Sequence, residues 1–140
     1  NGKGELDGNG DGLDLSGSKV IIKNNVFANL LDKGISIGED TKAIVYKNNI
    51  LNNNLGVAVK DMSKAYFLDN VFAGNEVAVT AYQKKQLFGG SIAYIYKNNF
   101  NLNAKDFEQD DVSEINKISS EADYKKLKEN VEKEILNFLE

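Results

Sequence analysis

Two phrases recur along this chain, and a period of about 20 to 50 residues constrains a fold more tightly than any local propensity. The first reads GLDLSG from Gly12, GISIGE from Gly34, GVAVKD from Gly56 and EVAVTA from Glu76, at steps of 22, 22 and 20 residues. The second reads VIIKNNVF from Val20, IVYKNNIL from Ile44, AYFLDNVF from Ala65 and YIYKNNFN from Tyr94. Each phrase alternates apolar and polar residues, the period-2 pattern of a half-buried strand. Neither the leucine and asparagine signature of a leucine-rich repeat nor the 3.6 period of an α-solenoid fits. A unit this short cannot bury an apolar face alone, so the units must stack and share one core.

Stacking assigns each side chain a column. In the first strand Leu13, Ile35, Val57 and Val77 form one inward column, and Leu15, Ile37, Val59 and Val79 the next. In the second strand the inward columns are Val20, Ile44, Ala65 and Tyr94, then Ile22, Tyr46, Phe67 and Tyr96. Phe27, Leu51 and Phe72 follow two residues after the asparagine and point into the core. β-branched and aromatic residues suit such a pleated surface. Where the coil turns, backbone groups lose their ladder partners, and a side-chain amide can replace both donor and acceptor. Asn25, Asn49, Asn70 and Asn99 are expected to stack as an asparagine ladder, about 4.8 Å apart, and to be scaffold. The fold read from this pattern is all-β, a right-handed parallel β-helix of about four rungs closed by a C-terminal amphipathic α-helix.

From Gly12 to Asn103 the chain resembles the right-handed parallel β-helix repeat proteins of the pectate-lyase-like superfamily, through x-I-x-x-N-N-x-I/F rungs that follow G-I-x-I strands. The resemblance implies a fold, and a choice among polysaccharide lyases, glycoside hydrolases, epimerases, tailspikes, adhesins and carbohydrate-binding proteins. Fold alone names no reaction.

Residues 1–104 are expected to form the rungs, and 105–140 a linker and capping α-helix. The opening NGKGELDGNGDG offers no polar cap, so further rungs or another chain are expected to cover the N-terminal edge. From Glu121 to Glu140, Tyr124, Leu127, Val131, Ile135 and Phe138 recur at helical spacing. Ser120 with Asp123 is an N-terminal capping signal. That helix covers the last rung or lies along the wall; an oligomerisation stalk is the sharper alternative.

Composition narrows the chemistry. The chain has no Cys, His, Pro, Trp or Arg, and its seventeen basic residues are all lysines. Thiol catalysis, histidine base catalysis, the Ser-His-Asp triad and the usual zinc or haem ligands are therefore excluded within these residues. A net charge of −4 gives no basic face for nucleic acid, and no apolar run spans a bilayer.

Three constellations remain. Asp7, Asn9 and Asp11 match the first half of a D-x-N-x-D-G loop, whose clustered oxygens suit calcium. Ser18 stands where the bidentate Glu of such a loop belongs, and Asp, Asn and Gly equally suit any tight turn. On the glycine-phrase face, Asp14, Ser36, Ala58 and Ala78 form one outward column, and Ser16, Gly38, Lys60 and Thr80 another. Small residues there floor a surface rimmed by Asp14, Asp32, Lys33, Glu39, Lys60, Asp61 and Tyr82. The insertion from Tyr82 to Ser91 either brings Lys84 and Lys85 to an anionic ligand such as a uronate or sulfated glycan, or is a flap that shields the last rung with Leu87 and Phe88. Asp14, Asp32, Lys33, Glu39, Lys60, Asp61, Tyr82 and Lys84 are the candidate ligand-binding set. In a catalytic version Lys60 is the base and Tyr82 the acid, with Asp61 beside them. A mixed-charge surface is more often a set of solvated ion pairs. The expectation is a non-catalytic domain of a secreted or surface bacterial protein, binding polysaccharide or acting as a scaffold. A fragment of a polysaccharide lyase or other carbohydrate-active enzyme is the alternative.

Overall fold

The computed structural model describes residues 10–135. The chain winds through successive rungs of three short strands. The first rung is β1 (Leu13–Ser16), β2 (Lys19–Lys23) and β3 (Val26–Ala28). The second is β4 (Lys33–Gly38), β5 (Lys42–Tyr46) and β6 (Asn49–Leu51), and the third β7 (Leu55–Lys60), β8 (Lys64–Leu68) and β9 (Val71–Ala73). The fourth is β10 (Val77–Tyr82), β11 (Ile92–Ile95) and β12 (Asn99–Asn101). A fifth turn, β13 (Lys105–Gln109) and β14 (Glu114–Lys117), precedes α1 (Glu121–Glu132). Like strands pair in parallel into sheet A (β1-β4-β7-β10-β13), sheet B (β14-β11-β8-β5-β2) and sheet C (β12-β9-β6-β3). The parallel β-helix is thus present with roughly five turns, the fifth made by residues that read as a linker. Its Lys105–Gln109 strand is mostly exposed and alternates weakly, so its sequence carries little period-2 signal.

Amide ladders hold the turns, but in a different register from the one expected. The Asn25 backbone N–H donates to Asn48 Oδ1 at 3.0 Å, Asn48 N–H to Asn70 Oδ1 at 3.0 Å, and Asn70 N–H to Asn98 Oδ1 at 3.0 Å. Asn49 and Asn99 instead begin β6 and β12 and are exposed. The residue before the ladder position is left-handed (Asn24 at φ 60°, Lys47 at 55°, Asp69 at 56°), a conformation asparagine tolerates well. A doubled Asn therefore serves different pairs of positions in different rungs. A second ladder runs through Asn53, Asn75 and Asn103: Asn53 N–H donates to Asn75 Oδ1 at 2.9 Å, and Asn75 N–H to Asn103 Oδ1 at 2.9 Å. Hydroxyls do the same work at the remaining corner, where Thr41 N–H donates to Ser63 Oγ and Ser91 N–H to Ser113 Oγ.

The slip at the asparagines also moved the core. The true inward columns of sheet B are Val20, Ala43, Ala65, Ala93 and Ile115, then Ile22, Val45, Phe67 and Ile95. Ile44, Tyr46, Tyr94 and Tyr96 face outward. In sheet C the inward residues are Phe27, Ile50, Phe72 and Phe100, so Ile50 takes the place expected for Leu51. In sheet A the fourth rung is displaced by two residues: Val79 pairs with Val57 and Ala81 with Val59. The first-strand step is therefore 22 residues throughout these four rungs, and Val77 lies over Leu55. Gly34 and Gly56 sit where the coil enters sheet A. A Cβ on Gly56 would meet the Ala78 carbonyl oxygen at 2.4 Å, which is why the phrase begins with glycine.

The helix lies along the wall. Leu127 and Val131 are buried against Ile44, Tyr46 and Leu68 on the outer face of sheet B. Ser120 Oγ accepts the Asp123 N–H, as its capping position requires. Ile135 is partly exposed, and Phe138 lies outside the described residues.

Candidate functional site

On the outer face of sheet A, register brings Asp14, Ser36, Ala58 and Thr80 into one column and sets Tyr82 directly beside Lys60. Thr80 and Tyr82 thus take the places expected for Ala78 and Thr80, through the same two-residue displacement. Gly38 leaves room for the Lys60 side chain, whose Cε lies 3.3 Å from where a Cβ would stand. Asp14, Gly38, Glu39, Lys60, Asp61, Lys84 and Lys85 line a cleft of about 170 Å³.

The rim residues divide by what they touch. Lys33 Nζ bonds Asp32 Oδ2 at 2.7 Å and lies 4.0 Å from Asp11 Oδ1. Burial pulls the Lys33 ammonium down, but the Asp32 hydrogen bond and Asp11 outweigh it and the net shift is upward. Glu39 pairs with Lys85 at 3.1 Å and accepts Ser16 Oγ–H at 3.1 Å, and these contacts, Lys85 first, hold its carboxyl below the usual range. Asp61 is buried, and its Oδ1 accepts the backbone N–H groups of Lys84 at 2.7 Å and Lys85 at 2.9 Å. It anchors the insertion, with Lys84 and Lys85 at the cleft. Leu87 is 88% exposed, so it does not shield the last rung. Asp32, Lys33 and Tyr82 lie beside the cleft without lining it.

Lys60 is the distinctive group. It has no carboxylate within ion-pairing distance among the described residues, and burial, then Lys33 and Lys84, pushes its ammonium pKa down. Burial pushes the Tyr82 phenol up, partly opposed by Lys33. Beneath them the Ser36 hydroxyl is buried without a hydrogen-bond partner among the described residues. Sequence reasoning found most of this rim because outward columns follow from the period alone. It named Lys85 in the insertion but left it out of the binding set, and it placed Tyr94 and Tyr96 in the core; aligning Ala43, Ala65 and Ala93 instead of the asparagines turns both outward.

For calcium, Asp7 and Asn9 lie outside the described residues. Asp11 Oδ1 accepts the Lys33 N–H at 3.2 Å, beside that residue's ammonium. Among the described residues no three His, Cys, Asp or Glu gather as a metal group, so nothing there supports a calcium site.

Residues 3–130 match a protein family described as NosD, periplasmic copper-binding protein. Searches of curated proteins and of solved structures returned no match. Copper is held in proteins by imidazole, thiolate and thioether groups. These 140 residues contain no His, no Cys and a single Met, so the donor set does not fit copper.

Proposed function

Because the chain belongs to the NosD family, we propose that it is a non-catalytic β-helix domain working outside the cytoplasm of a bacterium and binding carbohydrate on the outer face of sheet A. The observation that carries this reading is the cleft in which Lys60 and Lys84 stand over small residues, with Asp14, Glu39 and Asp61 as polar walls. Lys60 and Lys84 make no close ion pair among the described residues and so favour an anionic sugar, and the flanking carboxylates accept hydrogen bonds from its hydroxyls. The family description as periplasmic supports a location beyond the inner membrane, and no helix among the described residues is long and apolar enough to cross a membrane. Retention on immobilised polygalacturonate tests the reading. The wild type is retained at low salt and the Lys60→Ala/Lys84→Ala double variant elutes early. Equal elution of the two folded proteins would reject carbohydrate binding at this cleft.

A second reading rests on the lowered Lys60 pKa and its neighbour Tyr82. Neutral Lys60 would remove the proton α to a uronate carboxylate while the Tyr82 hydroxyl protonates the departing glycosidic oxygen, giving an unsaturated product. Growth of that product's ultraviolet absorbance with polygalacturonate, abolished by Lys60→Ala, is its expected outcome. A flat trace with the wild type rejects it.

A further inference from the structure

The outer face of sheet B carries more aromatic surface than the helix covers. Ile44, Tyr46 and Leu68 disappear beneath α1, whereas Tyr66 on the same strand as Leu68, and Tyr94 and Tyr96 on the next turn, stay partly open. Tyr66 and Tyr94 are register partners, with ring centroids 4.6 Å apart and planes within 10°. The tyrosines of this wall divide by their hydroxyls. Tyr46 bonds Glu132 at 3.1 Å and Tyr124 bonds both oxygens of Asp69 at 2.7 and 2.9 Å. The hydroxyls of Tyr66, Tyr94 and Tyr96 have no such partner among the described residues. Tyr66 and Tyr96 open into a groove of about 320 Å³ between sheet and helix, opposite Asp123, Lys126 and Asn130. These three follow one another at i, i+3 and i+7, so they project from one face of α1. None of the three makes a side-chain ion pair or hydrogen bond among the described residues.

We infer that this groove is a second binding site, for a neutral pyranose ring of an oligosaccharide. A polyhydroxylated ring presents apolar C–H faces for aromatic side chains and hydroxyls for a mixed row of acceptor, cation and amide. The carboxylate of Asp123 and the ammonium of Lys126 balance, so the groove has no reason to select an ion. The polar row on one wall makes a purely apolar chain a poor occupant, because each group would be buried without a partner. The groove volume sits near the lower end of small-molecule pockets, about 300–1,000 Å³. This site shares no residue with the cleft on sheet A and does not depend on it.

The test is a printed array of neutral oligosaccharides probed with the whole chain, with affinities then measured through tyrosine fluorescence, which no tryptophan obscures. Tyr96→Ala and Asp123→Asn are expected to weaken the selected ligand by about tenfold or more. Tyr96→Phe, which keeps the packing, is expected to weaken it less than Tyr96→Ala, and Lys60→Ala to leave it unchanged. An array on which the wild type binds no neutral sugar would overturn the inference. So would binding that Lys60→Ala removes and Tyr96→Ala does not.

Discussion

Replacing Asn70 by alanine removes an amide at the centre of a ladder. Its Oδ1 accepts from the backbone and side-chain amides of Asn48 at 3.0 and 3.1 Å, and its Nδ2 donates to Val45 O and Asn98 Oδ1, both at 2.9 Å. The alanine leaves buried groups unpaired, so urea denaturation is expected to show a loss of about 3 kcal/mol. Asn49→Ala, in the same kind of phrase but on an exposed strand position, is expected to change stability by less than about 0.5 kcal/mol. The pair distinguishes the observed register from the one the repeated Asn-Asn suggests. At Lys60 the sign is set by its lowered pKa. The fold disfavours the charged amine, so the charge costs stability below the folded pKa, and the cost vanishes above the unfolded value, about 10.4. Lys60→Met should therefore melt above the wild type at neutral pH, with the gap narrowing as pH rises through that window. A gap constant with pH would show that packing, not charge, sets it.

Among the elements, α1 depends most on polar docking. Buried Leu127 and Val131 give it an apolar seam, while Tyr124 on Asp69 and Lys128 Nζ on the same carboxylate at 3.4 Å fix its azimuth. Burial, and then Asp69, raises the Tyr124 pKa. A raised pKa means stability present below the unfolded value near 10 and lost as pH rises through the folded one. Burial also raises Tyr66 and Tyr96. Thermal melts followed by helical circular dichroism should accordingly fall above about pH 10, and Tyr124→Phe should flatten part of that fall while lowering the melting temperature at neutral pH. An alkaline fall identical in both proteins would refute the role given to Tyr124. The helix was legible from its cap and its 3.6 period. Its position was not, because a stripe of five apolar residues states that one face is buried and not which surface buries it.

Across the whole molecule, five turns share one core, and its outer walls offer two unlike faces, a charged cleft on sheet A and an aromatic groove on sheet B. Neither is built from copper ligands, although the family is described as copper-binding. Calorimetric titration of the chain with Cu(II), and with Cu(I) under reducing conditions, should give no saturable site. A stoichiometric site of submicromolar affinity would contradict the donor chemistry argued above.

The repeat by itself determined the coil, because period-2 alternation recurring about every 22 residues has no other way to bury its apolar face. It also determined most of the charged rim, since outward columns need only the period. Register was decided in three dimensions. Which asparagine of a pair enters the turn depends on which backbone position goes left-handed, and sequence marks both residues alike. A one-residue shift exchanges core for surface in a strand. That shift put Tyr46, Tyr94 and Tyr96 outside with Tyr66, set the helix beside them, and left the groove that only the folded chain contains.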